Sequence, residues 1–101
     1  MSIDLFCYAA QSPEAANAVI AKLAAKHQGL FQSRFLISNA EATSEIENEI
    51  ASEYGLAARS IFLISLNDKN YADILPAVED LVKLAFPSGQ VVILFNNEIL
   101  R

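Results

Sequence analysis

The stretch EATSEIENEIASEYG, residues 41–55, holds five glutamates and neither lysine nor arginine. It reads as a helix, and at ~100° per residue Glu45, Glu49 and Glu53 form a stripe less than a quarter-turn wide. Like charges at this spacing cost roughly 0.2–0.5 kcal/mol per pair. Glu45 and Glu47 recover part of that at the positive end of the helix dipole, whereas Glu53 sits at the wrong end for such help. A helix with only a structural role more often alternates glutamate with lysine. Two readings follow. One is a solvated face tuned for solubility; the other is a docking surface that attracts a cationic partner and pairs with its Arg and Lys side chains.

The remaining reactive side chains assemble no reaction. His27 stands at the end of the first helix, where it suits terminal carbonyls, and no nucleophile motif accompanies it. Cys7 lies within an apolar strand, and the nearest basic residue in sequence is Lys22, so a buried, inert thiol is expected. One histidine and one cysteine cannot fill a zinc site. The segment NDKNYAD, residues 67–73, lacks the order of a calcium loop. Three glycines in the whole chain leave no phosphate-cradling loop. We expect no catalytic residues, no metal and no cofactor.

The composition narrows the partners further. Twelve acids against seven bases give a net charge of −5, which repels phosphate backbones and attracts a basic protein. Nucleic acid is not an expected direct ligand. The opening MSIDLFCYAA lacks the basic region of a signal peptide, and no uncharged apolar run approaches the roughly 18 residues of a membrane span. With a single cysteine, a reducing cytoplasm is the expected setting.

The elements that must position the glutamates are legible from local signals. Residues 2–9 read as a first strand. A helix follows, with Ser12 as N-cap, Pro13 in its first turn, Gly29 as its stop, and Ala16, Val19, Ile20, Leu23 and Ala24 on the buried face. Residues 30–38 alternate as a second strand, with Phe31, Ser33, Phe35 and Ile37 on one face. Ser44 and Glu47 fit a capping box for the acidic helix, Gly55 ends it, and Ile46, Ile50 and Tyr54 should pack on the sheet. SIFLISL, residues 60–66, and QVVILF, residues 90–95, are continuous apolar runs, expected as adjacent central strands with Leu63 and Ile93 in the core. Pro76 places a third helix from an Asp73 cap to about Phe86, burying Leu75, Val78, Leu81, Val82 and Ala85. The tail NNEILR fits either a short turn back or a frayed end.

The order β-α-β-α-β-α-β over residues 1–101 predicts one α/β domain, with α+β as the alternative form. Its sheet is expected to be four-stranded and mixed, with three helices and a parallel pair where a helix crosses over.

The opening MSIDLFCYAAQSPEAA and the segment RSIFLISLND, residues 59–68, resemble small bacterial immunity proteins. These are the antitoxic partners of contact-dependent growth-inhibition and related polymorphic toxins. The resemblance implies a non-enzymatic role: binding a cognate toxin domain in the cytoplasm and blocking its active site or substrate path. Many such toxins are nucleases with basic clefts, which an acidic patch could occupy. The partner-binding residues expected on this reading are Glu45, Glu49 and Glu53, with Glu41 and Asp68 as accessories. A different reading is a small α/β enzyme or ligand-binding regulator with a pocket at the C-terminal strand ends near residues 67–70. A third is a homodimer built on an exposed sheet edge.

Overall fold

The first strand expected from the sequence sits at the middle of the sheet. The computed structural model describes residues 4–28, 35–66, 75–96 and 99–100. Its elements are β1 (Asp4–Ala9), α1 (Pro13–Lys26), β2 (Phe35–Ile37), β3 (Glu41–Ala42), α2 (Glu45–Glu53), β4 (Ser60–Leu66), α3 (Leu75–Ala85), β5 (Val91–Phe95) and β6 (Ile99–Leu100). The sheet order is β2-β4-β1-β5-β6, and β3 pairs with the far end of β4 on the same side as β2. Every pairing among the described strands is antiparallel. The protein is thus a single small α+β domain, with three helices among the described residues.

The four expected strands correspond to β1, β2, β4 and β5, and two two-residue strands extend the sheet. β4 and β5 do run parallel to each other, joined through α3, but they are not paired. β1 lies between them and is antiparallel to both, with Cys7 opposite Phe62 on one side and Ile93 on the other. This corrects the expected adjacency of the two long apolar runs. β1 is itself apolar enough to be buried on both sides, so it can take the centre.

Alternation along the strands divides the core into two layers. Leu5, Cys7 and Ala9 of β1, Phe62, Ile64 and Leu66 of β4, and Ile93 of β5 point to one face. There they meet Ala16, Ile20 and Leu23 of α1 and Leu75, Val78 and Val82 of α3. Phe62 stacks on Phe86 with ring centroids 5.8 Å apart. The opposite face carries Tyr8, Phe6, Ile61, Val92 and Leu94, and there Ala51, Ile50, Tyr54 and Leu56 of the α2 region pack. Leu63 is therefore half-buried on the α2 side rather than in the main core.

The helix signals hold. Ser12 Oγ accepts from the backbone N–H of Ala15, and Pro13 occupies the first turn of α1. α3 buries Leu75, Val78 and Val82 as expected, with Pro76 in its first turn. The proposed stop Gly29 and cap Asp73, and residues 30–34 of the second strand, lie outside the described residues. The tail turns back: Asn96 has φ +49°, and Ile99 and Leu100 pair with Phe95 and Leu94.

Candidate partner-binding face

α2 owes its position to short-range hydrogen bonds and one small buried side chain. Ser44 Oγ accepts from Glu47 N–H at 3.2 Å, and Glu47 Oε1 accepts from Ser44 N–H at 2.8 Å. Both halves of the capping box are present, satisfying two otherwise orphaned donors. Gly55, at φ +81°, takes the left-handed conformation just past the Tyr54 C-cap. Fully buried Ala51 allows close approach to the sheet, with Ile50 and Tyr54 packed beside it.

Glu45, Glu49 and Glu53 consequently lie on the far side of α2, all exposed. No ion pair joins them or Glu41 to a lysine or arginine among the described residues. The sequence expectation errs at Ile46, which is 69% exposed instead of packing on the sheet. It lies one turn before Ile50, overhanging the end of the packed region beside the glutamate stripe. Asp68, and the segment proposed for a ligand pocket, lie outside the described residues.

Glu41 reaches the same side of the molecule by another route. Ala42 and Glu41 pair with Ser60 and Ile61, so the Glu41 side chain shares a face with Ile61. Between β2 and β3 the ladder is interrupted, and Ser38 fills the gap. Its N–H donates to the Leu63 carbonyl at 2.8 Å, while its Oγ accepts from the Leu63 N–H at 2.8 Å. The strand edge stays satisfied while the chain bends.

That bend leaves an open trough of about 390 Å³ on the sheet face beside α2. Phe6, Ile61, Leu63 and Ser38 line it together with Glu41 and Glu47. Glu47 was legible only as a capping residue, and its place in the trough depends on how α2 docks. The outward direction of Phe6 and Leu63 was hidden because their strands are apolar on both faces.

The helical layer on the other side of the sheet holds a second groove, with a basic lining. An open groove of about 460 Å³ between α1 and α3 is lined by Val19, Leu81 and Leu84 with Lys22, Lys26 and His27. His27 caps α1, its backbone N–H bonding the Leu23 carbonyl at 3.1 Å, and among the described residues no serine or cysteine lines the groove with it. That basic lining is local to the groove, since α1 and α3 also carry Glu14, Glu79 and Asp80. Among the described residues no group of histidine, cysteine, aspartate and glutamate is arranged to hold a metal ion. No described helix is long and apolar enough to cross a membrane.

The family model described as CDI System Immunity Component matches residues 1–99. The chain belongs to that family. The resemblance read from its opening and β4 segments is therefore correct, and the family is one of immunity proteins, not of enzymes. Across its full length this immunity component is 44% identical to all of Immunity protein CdiI-2 of Burkholderia pseudomallei strain 1026b. It also superimposes on a chain of the solved CdiA-CT/CdiI toxin and immunity complex from Burkholderia pseudomallei with a TM-score of 0.94. That match is 43% identical and covers 97% of this chain and 95% of the other.

Proposed function

We propose that this immunity component neutralises the C-terminal toxin domain of its cognate CdiA protein by direct binding in the cytoplasm. The toxin it fits is a nuclease-type effector with a basic surface, and the contact is the acidic face of α2: Glu45, Glu49 and Glu53, with Glu41 beside them. Asp68 is kept as an accessory contact. The observation that carries this reading is the row of exposed carboxylates on α2, a helix that contains no lysine or arginine. The glutamates project away from the core, and none of them pairs with a lysine or arginine among the described residues. A cationic toxin surface is steered towards such a face. Support also comes from the Burkholderia pseudomallei structure, in which the similar protein is part of a toxin and immunity complex.

The test is Glu49→Lys together with Glu53→Lys. These changes place cations toward the C-terminal end of α2, where the dipole favours them, and touch no buried side chain. Binding to the CdiA toxin domain is expected to weaken at least tenfold, about 1.4 kcal/mol. Wild-type association should slow as salt rises and the Debye length shortens to about 8 Å. Protection of growing cells should fail while the circular dichroism spectrum stays unchanged. A double variant that binds and protects like the parent, with the same salt dependence, would remove α2 from the interface.

A further inference from the structure

The trough beside α2 has a more specific chemistry than the exposed stripe. Its floor is sheet: Phe6 and Leu63 are register partners, and Ile61 lies two residues along β4 on the same face. All three are half-buried, so the floor is apolar and open to solvent. Glu41 and Glu47 are the acidic residues of its lining. Glu47 is held by the capping box through Oε1, which leaves Oε2 available at a fixed position. Ser38 has both backbone and side chain committed, to Leu63 and to the Asn39 carbonyl at 3.2 Å, so the wall between β2 and β3 is equally preorganised.

We propose that this trough is a socket for one arginine side chain of the toxin. The site rests on the toxin-binding reading above and names the side chain it selects. An arginine matches both halves of the surface. Its aliphatic stem covers Leu63 and Ile61, and its planar guanidinium can stack on the Phe6 ring while donating to Glu41 and Glu47. A lysine supplies the charge but neither the planar stack nor the forked donors. An apolar side chain would bury the floor and leave the two carboxylates facing it unpaired. Because the socket is rigid, little ordering is needed when it fills, which is the usual character of an interface hot spot.

The experiment measures affinity for the cognate CdiA toxin domain with two independent variants of the immunity component. Glu41→Gln with Glu47→Gln removes the acidic charge of the lining, and glutamine at the third helical position can still complete the capping box. Leu63→Trp fills the trough from a half-buried strand position beside open space, where an aromatic side chain is well tolerated. Each is expected to weaken binding at least tenfold without lowering the melting temperature appreciably. Arginine-to-lysine substitutions across the toxin surface should then reveal one position that loses at least tenfold against the wild type. That position should lose much less against the double glutamine variant. The socket is overturned if the toxin binds wild type tightly and both variants equally well, or if every toxin arginine tolerates lysine. Absence of any binding between toxin and wild type would instead overturn the toxin-binding reading, and the socket with it.

Discussion

Asn17 in α1 clamps the backbone of Ala40 with both ends of its side-chain amide. Its Oδ1 accepts from the Ala40 N–H at 2.7 Å, and its Nδ2 donates to the Ala40 carbonyl at 3.1 Å. The amide thus acts like a neighbouring strand for one buried residue, and that residue immediately precedes Glu41. A helix on one side of the sheet thereby fixes the backbone next to an acidic residue of the trough on the other. Asn17→Ala would leave both Ala40 groups without their partner, at a cost of about 1–3 kcal/mol. Chemical denaturation should show the midpoint falling with an unchanged slope. A loss under about half a kcal/mol would mean that water replaces the clamp freely.

The two long apolar strands make a paired prediction. Ile93 is 1% exposed and touches the layer of α1 and α3, so Ile93→Ala is expected to cost about 2–5 kcal/mol. Leu63 faces the open trough, and Leu63→Ala should cost less than about 1 kcal/mol, since little area is lost and no closed cavity forms. Equal losses in the two variants would contradict the outward direction of Leu63.

The capping box allows its own separation. Ser44→Ala removes the acceptor for the Glu47 N–H and is expected to destabilise the protein by about 0.5–2 kcal/mol. Glu47→Gln retains a side-chain acceptor for the Ser44 N–H and should stay within a few tenths of a kcal/mol of wild type. Thermal melts of the two single variants compare these effects directly. A Gln variant as unstable as the Ala variant would show that the carboxylate charge, not the hydrogen bond, holds the helix start.

Cys7 is fully buried at the centre of the sheet. Burial first, and the nearby Glu79 carboxylate second, push its thiol well above the ordinary value of 9.0. Native protein should therefore react slowly with a thiol reagent, and unfolded protein readily. The pH dependence has a definite sign. Above about pH 9 the unfolded chain loses this proton while the folded one keeps it, so stability falls with rising pH by about 1.4 kcal/mol per unit. Below that pH the contribution is fully present. Cys7→Ala should lack this component of the alkaline slope, and parallel alkaline profiles for the two proteins would place the thiol in contact with water.

The resemblance of the opening and β4 segments to immunity proteins identified the family, whereas the position of the partner surface required more than sequence. Everything settled within about four residues was readable. Ser12 with Pro13 starts α1, and Ser44 with Glu47 starts α2, because their hydrogen bonds close inside a single turn. The glutamate stripe was equally plain, since helical period alone places Glu45, Glu49 and Glu53 together. Ile46 was misplaced because the period gives a direction but not the extent of the surface beneath it, and the packed region ends before that turn.

Strand order belonged to tertiary structure. SIFLISL and QVVILF are apolar at nearly every position, so alternation could not say which side chains face the helices. Pairing with β1 decided it, sending Ile93 inward and Leu63 outward. The convergence of Glu41, Glu47, Phe6 and Leu63 on one trough is of the same kind. These four residues come from three strands and a helix, and their meeting depends on β3 bending past Ser38 and α2 docking through Ala51. Local chemistry determined the charge and shape of each piece. Burial of two apolar faces by different helices determined where the pieces meet, because only the assembled sheet sets how much surface each choice hides from water.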